Sequence, residues 1–126
     1  MKKYFKIVLL LLLPFFTKAQ SHQKELDRLY SALKNTTSDT IRMGIYANLG
    51  WLYEEINRDS IFFYAERLLL LARQLDQKLA EAEALSMKGV ALLDLEDYPK
   101  SLESLMQALH IAKDPASEKK YLASAK

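Results

Sequence analysis

From Gln20 to Lys126 apolar residues recur three and four positions apart, and no stretch alternates apolar and polar as a strand does. The spacing predicts a first helix over 23–34, with Leu26, Leu29, Tyr30 and Leu33 on one stripe. A second is predicted over 40–56, where Ile41, Ile45, Leu49 and Leu52 form one stripe and Met43, Tyr46, Gly50 and Tyr53 another. Two stripes imply neighbours on two sides. A third over 61–75 and a fourth over 79–93 follow, then a fifth from Pro99 to about Lys113. Asn35–Asp39 supplies a loop with candidate N-caps, Asp59 or Ser60 can cap the third helix, and Pro99 suits the first turn of the fifth. Asp76-Gln77-Lys78 reads as a turn but has neither Gly nor Pro, so one helix running through it is the alternative. The expected fold class is all-α.

The first nineteen residues break this pattern. Lys2, Lys3 and Lys6 precede an apolar run from Ile7 to Phe16, and Thr17-Lys18-Ala19 ends it with small residues at the positions a cleavage site needs. This is the order of a secretory signal peptide over residues 1–19, cut after Ala19. The alternative is an uncleaved N-terminal anchor, the only contact with a membrane that the sequence implies. The run is about half the ~20 residues of a membrane-spanning helix. Export would place the remainder in the periplasm or outside the cell.

Charge changes meaning once that segment is set aside. All 126 residues carry a net +2, but residues 20–126 hold 14 basic and 16 acidic side chains, a net −2. Nucleic-acid binding, which needs a basic patch, loses its support. The absence of cysteine excludes disulfides, Cys-based zinc sites and a cysteine nucleophile. Six Gly and Pro in all argue against a turn-rich β fold.

The chain also repeats itself. "NLGWLYEE" (48–55) aligns with "MKGVALLD" (87–94), placing Gly50 against Gly89, 39 residues apart. "LLLLAR" (68–73) aligns with "ALHIAK" (108–113), placing Leu69 against Leu109 and Ala72 against Ala112, 40 apart. The extra residue falls in the inner turn: Tyr53 to Ile61 is 8, Leu92 to Ser101 is 9. A mid-helix glycine costs ~1 kcal/mol relative to alanine, a cost acceptable where a neighbouring helix must come close. Ala65, Ala72, Ala108 and Ala112 are expected to allow the same approach from the partner helix.

These positions resemble the tetratricopeptide repeat (TPR) family. The matching residues are Tyr46, Leu49, Gly50, Tyr53, Ala65, Leu68 and Leu69 in one unit. In the next they are Leu85, Gly89, Leu92, Tyr98, Leu105, Ala108 and Leu109. The resemblance implies a TPR-like α-solenoid of antiparallel helical hairpins. Its parts are a leading helix and loop over 20–39, repeats over 40–78 and 79–116, and the start of a third, incomplete repeat over 117–126. The spacing of 39–40 exceeds the family's usual ~34. It is similar to units found after a signal peptide in exported regions of bacterial sensor histidine kinases and related signalling proteins. Lys88, Ile61 and Ser101 depart from the family pattern, and Lys88 is expected to run its stem along the helix and keep its charge in water. About 107 residues then hold two hairpins and the opening of a third, which suggests a truncated end or an array completed by a partner.

The resemblance implies a concave face that binds a protein or peptide. It would be lined by Asn48, Trp51 and Glu55 in the first unit and by Glu83, Met87, Val90 and Asp94 in the second. Leu49, Gly50, Tyr53, Ala65, Gly89, Tyr98 and Ala108 would be structural repeat positions. Asn48 stands where peptide-binding members hold the ligand backbone. The basic residues that clamp a peptide carboxylate in some members have no counterpart, so an uncharged or basic partner fits better. Trp51 reads either as an interface anchor or as a ring half-buried between helices. Glu54-Glu55 point about 100° apart on a helix and read as a solvated face. Asp94, Glu96 and Asp97 lack the glycine and spacing of a calcium loop. His22 and His110 stand far apart with no partner motif. The expectation is a non-catalytic interaction module with no cofactor and no metal. The alternative is the N-terminal sensory part of a histidine kinase or transcriptional regulator.

Overall fold

The computed structural model describes residues 2–117, and these form an all-α, helical-repeat-like architecture with no strand among them. The helices are α1 (Lys2–Asn35), α2 (Asp39–Ile56), α3 (Asp59–Gln74), α4 (Lys78–Asp94) and α5 (Tyr98–Lys113). Residues 118–126, the bulk of the proposed third unit, lie outside the described residues. Each helix packs on the next, and α2 also touches α4. Two successive hairpins, α2–α3 and α4–α5, thus share one core.

The helix starts follow local chemistry. Ser38 caps α2, its hydroxyl accepting from the Ile41 amide at 3.3 Å. Asp97 caps α5 by accepting from the Lys100 amide at 3.3 Å, with Pro99 in the first turn. Neither Asp59 nor Ser60 caps α3. Both are already helical, and the Asn57 side chain instead accepts from the Asp59 amide at 3.2 Å.

The turn at Asp76 forms without glycine. The Gln77 amide donates to Ala72 carbonyl at 2.8 Å and the Asp76 amide to Arg73 carbonyl at 3.2 Å, with Asp76 at φ 52°. The turn after α4 repeats this. Asp97 donates to Leu92 carbonyl and Glu96 to Leu93 carbonyl, both at 3.0 Å, with Glu96 at φ 57°. Both are Schellman closures, which satisfy helix-end carbonyls through one left-handed residue. The α2–α3 turn has only Asn57 and Arg58 between its helices, one residue fewer than the α4–α5 turn. The expected one-residue difference therefore falls in the inner turn.

Leu49, Ile61, Leu68 and Met87 are the large apolar side chains fully enclosed in the core. Both repeat glycines are points of close approach. A Cβ on Gly50 would stand 1.8 Å from Met87 Cε, and one on Gly89 would stand 2.6 Å from Leu105 Cγ. The neighbours differ, however: Gly50 receives α4, whereas Gly89 receives α5. Ser101 explains the second case, since its buried hydroxyl donates to Gly89 carbonyl at 2.7 Å and holds α5 against α4. Ala65, Ala72 and Ala108 are buried, but Ala112 is exposed because no described helix covers that side of α5. Tyr98, expected at a structural position, is 61% exposed for the same reason.

Helix α1 differs most from expectation. It is not confined to residues 23–34 but is continuous from Lys2, with Pro14 inside it. Its second half docks on α2 through Leu26 and Leu29. Tyr4, Phe5 and Ile7–Leu11 stand exposed in its first half. No described helix is long and apolar enough to cross a membrane.

Candidate functional site

The expected binding residues lie on α2 and α4, two helices that touch directly. Trp51 Nε1 donates to Glu83 Oε1 at 2.9 Å, tying the helices together at the surface. The ring is half-buried and packs on the core, while Glu83 is exposed. Asn48 lies one turn before Trp51, exposed and with no hydrogen-bond partner among the described residues. Ile41 and Gly44 continue this exposed edge of α2, and nothing comes within 4 Å of a Cβ built on Gly44. Val90 is half-buried against the core.

The other three expected residues each engage another part of the chain, Met87 from inside the core and Glu55 and Asp94 at the surface. Met87 has no exposed surface: its methyl fills the notch above Gly50, so it cannot meet a partner directly. Glu55 Oε2 accepts from the His22 ring of α1 at 3.1 Å. Asp94 accepts from Arg58 Nη1 at 2.8 Å, joining the α2–α3 turn to the end of α4. The candidate site is therefore a strip of Asn48, Trp51, Glu83 and Val90, flanked by the His22–Glu55 and Arg58–Asp94 contacts. The family resemblance implied Met87 on this face through its position in the repeat. Only the depth of the α2–α4 contact takes it inside.

Side-chain networks that the sequence did not reveal set the spacing of the helices. Tyr30 of α1 places its hydroxyl 2.8 Å from that of Tyr53 and 2.6 Å from that of Tyr64. Tyr53 and Tyr64 stack at 5.5 Å. The Tyr30 hydrogen bond, then burial, push the Tyr53 phenol up to about 12. Burial is the main cause of the upward shifts at Tyr30 and Tyr64. Between α3 and α4, Arg73 and Lys78 each donate to Glu81 at 3.0 Å. Burial pushes the Glu81 carboxyl up, but these two cations outweigh it and hold the group below its ordinary value. Lys88 does not keep its charge in free solvent. Its ammonium lies 2.5 Å from Glu66 Oε1 and 5.3 Å from the Phe62 ring centre.

No group of three or more His, Cys, Asp or Glu among the described residues is placed to hold a metal ion. The strip presents one amide, one indole, one carboxylate and an apolar floor. That set can hold an extended segment by its backbone and favours cationic side chains over anionic ones. Protein-family models, curated proteins and solved structures were all compared with this chain, and none matches it.

Proposed function

We propose that the chain is an exported, TPR-like α-solenoid that acts as a non-catalytic protein-interaction module. Its partner is a peptide or protein segment, uncharged or basic, held on the α2–α4 face. The observation that carries this reading is the Trp51–Glu83 bond at 2.9 Å beside Asn48, which is exposed and has no hydrogen-bond partner among the described residues. It fixes an aromatic edge and a carboxylate in one orientation on a surface made by two equivalent repeat helices. Such preorganisation lowers the ordering cost of binding. Support for the solenoid comes from the order of two like hairpins, their glycine notches at Gly50 and Gly89, and the matched closures at Asp76 and Glu96. Support for export comes from the charged-then-apolar start of α1, whose Ile7–Leu11 side chains contact none of the core.

The test is a peptide array of varied charge probed with the full chain and three variants. Basic and neutral peptides are expected to bind more than acidic ones. Trp51→Ala and Asn48→Ala should each weaken binding several-fold, and Phe63→Ala on exposed α3 should not. Binding that prefers acidic peptides, or that ignores Trp51→Ala and Asn48→Ala, would overturn the reading.

A further inference from the structure

The cut after Ala19 that export implies would make Gln20 the first residue of the mature chain. The surroundings of that residue are open. Gln20 and Ser21 are exposed, and the Gln20 side-chain amide has no hydrogen-bond partner among the described residues. Ala19 borders an open hollow with His22, Glu54, Glu55 and Arg58, so the new end would face solvent and not a packed helix. Among the described residues of α1, His22 is the first whose side chain bonds another helix, through Glu55 at 3.1 Å. Leu26 is the first that joins the core. The fold therefore anchors α1 from His22 onward and places no side-chain bond on the two residues before it.

Removal of residues 1–19 also changes the backbone at this point. In a helix the N–H of residue 20 donates to the carbonyl of residue 16, and the cut removes that acceptor. The Gln20 nitrogen becomes a primary amine at the positive end of α1, where a positive charge is unfavourable. An α-amino group titrates near ~8, so a share of it is neutral and nucleophilic close to neutral pH. The electrophile is the residue's own side chain. Glutamine places its amide carbon so that closure onto the amine gives a five-membered ring, whereas asparagine would need a strained four-membered one.

We propose that Gln20 is a modification site, and that the exported chain carries a pyroglutamyl residue there in place of a free amine. The proposal rests on the export reading and adds to it the chemical state of the new terminus. The neutral amine attacks Cδ and an N–Cδ bond forms. The Cδ–Nε2 bond breaks, and a proton passes from the amine to the departing nitrogen, which leaves as ammonia. Nothing is oxidised or reduced, and no co-reactant is consumed. The product has no terminal charge, which removes the unfavourable cation from the head of α1. It also has no amine for an aminopeptidase to hold.

The test is mass spectrometry of the protein taken from the cells that make it. The cells are opened directly into an amine-labelling reagent, so that any free terminus is capped before handling can close it. Digestion at Arg28 then gives the peptide 20–28. It is expected to be lighter than the open form by one ammonia and to carry no label on its first residue. Gln20→Ala, cut at the same bond, is expected to carry the label on its terminal amine. Label on the α-amine of Gln20 would overturn the proposal and leave export standing. A chain that still holds residues 1–19 would overturn both. A blocked terminus in Gln20→Ala would overturn the ring as the cause of the block.

Discussion

The three glycines of this chain all lie within α2 and α4, and the surroundings of each predict a different response to alanine. Gly44 has open space around it, so Gly44→Ala should gain only the helix-propensity term, a stabilisation of ~1 kcal/mol. At Gly50 the added methyl would meet Met87 Cε at 1.8 Å, well inside the 3.4–4 Å of ordinary contact. Met87 has no exposed surface through which to swing away. Overpacking of this kind costs ~1–3 kcal/mol and propensity returns ~1, so Gly50→Ala should destabilise by up to ~2 kcal/mol. Gly89→Ala should cost more. Its methyl meets the branch point of Leu105 at 2.6 Å and Ser101 carbonyl at 3.3 Å, and the Ser101 hydroxyl prevents α5 from withdrawing. Urea unfolding followed by far-ultraviolet circular dichroism ranks the three variants. A double-mutant cycle isolates the notch. Met87→Ala alone should cost ~2–5 kcal/mol, and combining it with Gly50→Ala should cost less than the sum by ~1–2 kcal/mol. Stabilisation by Gly50→Ala equal to that of Gly44→Ala, with additive behaviour in the cycle, would refute the close-approach argument.

Other consequences can be measured on the same material. The phenols of Tyr30, Tyr53 and Tyr64 have raised folded values, so their contribution is complete below pH 10 and is lost as pH rises toward about 12. Stability should fall over that window, and Tyr30→Phe should flatten the fall and bring Tyr53 ionisation to lower pH in a phenolate absorbance titration. The Glu81 carboxyl is held low, so its contribution is present above pH 4.5 and is lost as pH falls through the folded value. Glu81→Gln should cost roughly 1–3 kcal/mol at pH 7 and weaken the acid dependence of unfolding. Glu96 holds φ at 57°, a conformation that glycine adopts without strain. Glu96→Gly should therefore stabilise by up to ~1 kcal/mol, and a loss of stability would contradict the Schellman closure at that turn.

Helix periodicity carried most of the fold. The apolar spacing from Met43 to Ile111 is set by burial on both sides of α2 and α4, and burial is what a 3.6-residue period reports. The bounds of α2 to α5 therefore fall within about two residues of expectation. The Asp76 turn was less legible because its left-handed residue is an aspartate, and the hydrogen bonds to Ala72 and Arg73 leave no mark in composition. The site was legible in register and not in depth. Asn48, Trp51 and Glu83 reach the surface as their positions imply. Met87 shares their register but is taken inside by the Gly50 notch. The pairs Trp51–Glu83, Arg58–Asp94 and Lys88–Glu66 join residues 22 to 36 apart in sequence, and only the angle between helices decides them.

The central claim is that the α2–α4 face takes a partner. The most direct measurement replaces Asn48 with a photo-activatable amino acid in the full chain and irradiates it in the cells that make it. Phe63 on α3 serves as the comparison position. A discrete adduct from position 48, absent from position 63 and lost when Trp51→Ala is added to a chain of unchanged helicity, is the predicted result. Equal adducts from both positions, or an adduct at 48 indifferent to Trp51→Ala, would contradict it.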